Sequence, residues 1–99
     1  METERIESEA FPKFIHVSEQ PDGSRVFDLW APDSSGHIEI DLALGAYYAD
    51  LAIQIARLQG SDEFIFNVLT TLVAKKAMSH TEAGFLRGIS QRAYVGAHN

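Results

Sequence analysis

Four histidines, fourteen carboxylates and no cysteine set the chemistry open to this 99-residue chain. Without a thiol, disulfides, thiolate metal centres and cysteine nucleophiles are excluded. A histidine metal site needs ligands on neighbouring turns or strands. His16, His37, His80 and His98 never fall three or four apart. His37 and Glu39 are two apart, as are His80 and Glu82; such a pair shares a face on a strand but not on a helix. Surface and capping roles account for all four, and no metal or other cofactor is expected. Ser79-His80 sets a hydroxyl beside an imidazole, yet sequence neighbours rarely meet in the geometry of a nucleophile and its base. Asp33, Glu39, Asp41 and Asp50 offer carboxylates in an already acidic chain, where solvation is their ordinary fate. No glycine-rich phosphate loop is present, GFLRG at 84–88 included. Lys75 and Lys76 fall where a helix should end, where cations offset its dipole. No residue set points to catalysis, and the chain is read as a non-enzyme.

The strongest structural signal is the run Leu42–Leu58, LALGAYYADLAIQIARL. Leu44, Tyr48, Leu51, Ile55 and Leu58 recur at alternating steps of four and three, one helical stripe. Gly45, Ala49, Ala52 and Ala56 form a second stripe of small residues. Only Asp50, Gln54 and Arg57 mark a polar edge, so this helix is expected at the centre, with partners on two sides. Before it, Phe14–Val17 and Val26–Trp30 carry the aromatic and β-branched residues of strands. Pro21-Asp22-Gly23 between them is turn chemistry, predicting an antiparallel hairpin. Alternating Ile38 and Ile40 suggest a third short strand at 37–40, or the lead-in to the helix, with Asp41 as its N-cap.

Gly60 should stop the central helix. Ser61 caps a second helix whose buried face holds Phe64, Ile65, Val68, Leu69, Leu72 and Val73. Ser79-His80-Thr81-Glu82 is a capping box opening a third. The expected fold is α+β: an N-terminal β-hairpin or small three-stranded antiparallel sheet packed on a three-helix bundle. Residues 1–10 read as a flexible N-terminus and 11–99 as one domain.

Net charge is −6, concentrated before residue 61, which disfavours nucleic acid along most of the chain. The acidic start lacks the pattern of a secretory signal. The 42–58 run is too short and too charged for a membrane span. A cytoplasmic protein with no membrane partner is the expectation.

Gly84 and Gly88 need a reason, since glycine inside a helix costs about 1 kcal/mol relative to alanine. In one reading they admit another backbone, with Gly45, Ala49, Ala52 and Ala56 as the facing stripe. In the other, the segment bends. HTEAGFLRGISQRAYVGAHN at 80–99 resembles a helix-turn-helix DNA-binding motif, with Gly84 as the small residue of the first helix, Gly88 at the turn and Ile89 as the apolar residue after it. That resemblance implies a recognition helix opening at Ser90, with Ser90, Gln91 and Arg92 facing the major groove and Arg87 beside them.

Ten aromatics in a small chain remain to be placed. Phe64, Ile65 and Phe66 are consecutive, and no single helical face hides all three. Phe64, Phe66, Tyr47 and Trp30 are the candidate interaction surface. The reading is an acidic interaction or adaptor protein that pairs with a second copy or another protein. The alternative is a DNA-binding transcriptional regulator using residues 80–99.

Overall fold

The computed structural model describes residues 12–98. The order is β1 (His16–Glu19), β2 (Arg25–Asp28), α1 (Ile38–Gln59), α2 (Glu63–Ala74) and α3 (His80–His98). The fold is α+β, with a two-stranded antiparallel sheet beside three helices.

In the hairpin Val17 pairs with Phe27 and Ser18 with Val26. Its turn follows from the residue types. Gly23 takes a φ of 88°, a conformation that a Cβ disfavours. Its N–H donates to the Gln20 carbonyl at 2.9 Å, and Gln20 N–H donates to the Ser24 carbonyl at 2.8 Å. The Asp22 carboxylate accepts from both the backbone N–H and the hydroxyl of Ser24. These bonds hold the Asp22 carboxyl below its ordinary range, with the Ser24 hydroxyl the largest influence.

No third strand forms among the described residues. Residues 38–40 are already the first turn of α1. Two isoleucines two apart are too short a pattern to separate strand from helix. Local bonding decides: the carboxylate of Asp41 accepts from Ser35 N–H at 2.9 Å, Ser35 Oγ at 2.7 Å and Ser34 Oγ at 3.0 Å. Asp41 therefore lies inside the first turn and ties the preceding loop to the helix. His37, extended and without a side-chain capping bond, occupies the N-cap instead.

Gly60 ends α1 at a φ of 68°. Its N–H reaches the Arg57 carbonyl, and that of Ser61 reaches Ala56, the two bonds of a Schellman stop. The same pattern closes α2, where Lys76 N–H bonds Val73 and Ala77 N–H bonds Leu72. Here the left-handed position is filled by Lys76 at a φ of 55°.

The core contains one aromatic from each of four places: Phe14 before β1, Trp30 after β2, Tyr48 on α1 and Phe85 on α3. Phe14 lies 5.5 Å from Trp30 and 5.3 Å from Tyr48 between ring centroids, and Trp30 lies 4.7 Å from Phe85. Such tilted pairs add about 0.5–1.5 kcal/mol each beyond their area. Val68 and Leu72 close this core from α2.

α1 and α3 cross at backbone contact. A Cβ on Gly45 would overlap the Thr81 carbonyl oxygen, and one on Gly84 the Leu42 carbonyl oxygen. A Cβ on Gly88 would lie 2.6 Å from that of Ala49. Contacts advance together along both helices, from Leu42 with Gly84 to Asp50 with Arg92, so the two run parallel, and α2 carries the chain back between them. The crossing decides which side of α1 is interior. Gly45, Tyr48, Ala49, Ala52 and Ala56 are buried, whereas Leu44, Leu51 and Ile55 are only partly so. Of the long-residue stripe expected at the core, Tyr48 is buried there, Leu44, Leu51 and Ile55 lie at its margin, and Leu58 at the end is 88% exposed. Residues 80–98 form one unbroken helix. The turn that a helix-turn-helix needs at Gly88 is absent, because that glycine lies against α1 at mid-helix.

Candidate interaction surface

Outward apolar residues on α1 and α2 form a candidate interaction surface among the described residues. On α1, Ile40, Leu44, Tyr47, Leu51 and Leu58 alternate at steps of four and three, counting Gln54 as the one polar position. Ile40, Tyr47 and Leu58 are more than half exposed, and Leu44 and Leu51 partly so. Gln54 donates to Asp50 Oδ2 at 3.1 Å, so its amide is anchored beside the stripe. On α2, Phe66 (63% exposed) and Val73 stand seven residues apart on one side, with half-buried Leu69 between them. Met78 is also open.

Of the four residues expected at the interaction surface, Tyr47 and Phe66 are exposed and Phe64 is half-buried. Trp30 is not a surface residue: it is 1% exposed. Its ring is packed among Phe14, Tyr48 and Phe85, and its Nε1 donates to Glu82 Oε2 at 2.8 Å. A buried indole with its donor satisfied is a core anchor. Val73 and Leu58, assigned by periodicity to buried faces, are outside. Periodicity identifies an apolar face but not the neighbour that covers it.

Glu82 and Lys75 near the core are engaged in structural hydrogen bonds, whereas the buried Thr81 hydroxyl has no hydrogen-bond partner among the described residues. Glu82 Oε1 accepts from the backbone N–H of Ser79 at 2.6 Å and from its hydroxyl at 2.5 Å. The Ser79 hydroxyl is thus a donor to a carboxylate, not a nucleophile facing His80. Burial pushes the Glu82 carboxyl up, but the bonds from Ser79 and Trp30 outweigh it and hold it below the usual range. Lys75 Nζ donates to Asp28 Oδ2 at 2.5 Å and to the Trp30 carbonyl at 2.7 Å, which pins β2 to the end of α2. The Lys75 bond, the largest influence, lowers the Asp28 carboxyl. Among the described residues no three histidines or carboxylates stand close enough to hold a metal. No helix among them is long and apolar enough to cross a membrane.

Arg87, Ser90, Gln91 and Arg92 are exposed along α3 and, with Tyr94 and Val95, line an open concavity of about 500 Å³. Arg92 bridges to Asp50 of α1. The comparisons add no relative: no family model, no curated protein and no solved structure matches this chain.

Proposed function

We propose that this chain is a small non-catalytic interaction protein that pairs with a second copy of itself through the outward apolar faces of α1 and α2. The observation that supports it is the exposed row Ile40, Tyr47 and Leu58 continuing a four-three periodicity on a helix already packed on its other side. Single exposed apolar residues are ordinary, whereas aligned ones mark contact surfaces. A four-three row is the seam geometry by which helices pair. Ionic side chains are absent from the row itself, so two chains of net charge −6 meet there with the least repulsion. Isologous pairing also presents each row with a match of the same period.

Sedimentation tests this. A dimer mass is expected at micromolar concentration, with Tyr47→Glu and Leu58→Glu shifting it to monomer and Ser90→Glu leaving it unchanged. A monomer at ~100 μM, within the range of weak interfaces, overturns the proposal. Duplex-DNA binding that falls with added salt and is lost in Arg87→Glu would favour the regulator alternative instead.

A further inference from the structure

We propose that two copies of this chain pair with their α1 helices antiparallel, so that Glu39 of each copy meets Arg57 of the other. This rests on the reading that the outward row of α1 is where the second copy binds, and it fixes the direction of that pairing.

The charges beside the row carry the inference. Glu39 and Arg57 are eighteen residues apart on α1, about five whole turns. They therefore stand on the same flank of the helix, about 27 Å apart along it. Ile40 and Leu58, the two ends of the apolar row, repeat that spacing. Each end of the row thus has one apolar residue with one charged residue beside it, acidic in the first turn and basic in the last. Both charged side chains are exposed. Neither makes an ion pair or a side-chain hydrogen bond with another described residue.

A two-fold axis perpendicular to α1 reverses the second helix. With the rows overlapped in full, Ile40 faces Leu58 of the second copy, Leu44 faces Gln54 and Tyr47 faces Leu51. Apolar positions at steps of four and three pack in such layers. The same overlap lays Glu39 beside Arg57 of the second copy, at both ends of the seam. It also sets the positive end of one helix dipole against the negative end of the other. A parallel pair does the reverse: glutamate meets glutamate, arginine meets arginine, and the dipoles align. Asp50 falls near the two-fold axis, close to its own copy, but Arg92 already offsets its charge. The order of charges along α1 therefore makes its outward face complementary to a reversed copy of itself.

Glu39→Arg and Arg57→Glu, singly and together in the full chain, test this by sedimentation equilibrium. Each single change puts two like-charged contacts into an antiparallel dimer and should raise its Kd roughly tenfold at low salt. The double variant exchanges the charges end for end and should restore native association. Added salt should shrink the loss in the single variants. A folding defect cannot imitate this pattern, because both substitutions oppose the α1 dipole and their effects would accumulate in the double variant. In a parallel pair like meets like in the native chain and in every variant, so an unchanged Kd in the single variants overturns the proposal. So does a double variant that associates more weakly than either single one. If Tyr47→Glu still dissociates the dimer in those cases, pairing through the row stands and only its direction falls. A native chain that is monomeric at ~100 μM overturns both and leaves the row to a different protein.

Discussion

The Glu82 carboxylate closes the N-terminus of α3 with one oxygen and holds the Trp30 indole with the other, 52 residues away in the chain. A local capping motif is thereby joined to the aromatic core. Glu82→Gln should cost about 1–3 kcal/mol, because an amide cannot accept from Ser79 and Trp30 together and leaves a buried donor unmet. Denaturant melts followed by Trp30 fluorescence measure this. A loss below about 0.5 kcal/mol would show that the bridge contributes little beyond ordinary surface variation.

The same bridge makes stability depend on acid. The folded Glu82 carboxyl is held below the ordinary glutamate value of 4.5, so the unfolded chain binds its proton more readily. The stabilisation is complete above that value and declines as pH falls through the lower folded one. Urea midpoints from pH 7 to pH 3 should drop more steeply in the native chain than in Glu82→Gln. Parallel curves would remove Glu82 from the acid transition.

Gly45→Ala and Gly84→Ala should each destabilise despite the better helix propensity of alanine. The new methyl meets a carbonyl oxygen of the facing backbone, and overpacking of about 1–3 kcal/mol exceeds the gain. Gly88→Ala meets instead the Ala49 methyl, at 2.6 Å. Ala49→Gly should therefore rescue Gly88→Ala and leave Gly84→Ala unimproved. A double-mutant cycle without coupling between 49 and 88 would contradict the parallel crossing.

Lys76 is the one non-glycine among the described residues with a positive φ, 55°. A left-handed conformation costs a side-chain-bearing residue about 1 kcal/mol. Lys76→Gly should raise stability or leave it unchanged, whereas Lys75→Met should loosen the hairpin by removing the donor to Asp28 and Trp30. Faster amide exchange at Val17 and Phe27 in Lys75→Met, and not in Lys76→Gly, is the expected pattern.

Much of the local structure is legible in residue types alone. Pro21-Asp22-Gly23 specifies the hairpin turn, Gly60 the end of α1, and Ser79 with Glu82 the start of α3, because each acts over a few bonds of its own backbone. The α+β class follows from the same signals. The tertiary structure decides what covers what. The sequence of α1 offers two apolar stripes, and the approach of α3 to Gly45 and Ala49 buries the small one throughout, while of the long one Tyr48 is buried and Leu58 is left outside. Trp30 is equally apolar in a list of residues whether it lies inside or outside; Glu82, far away in the chain, supplies the acceptor that lets it be buried. The Gly84–Gly88 spacing fits a turn or a close helix crossing until a partner backbone is present. Periodicity is a property of one element, whereas burial is a property of two.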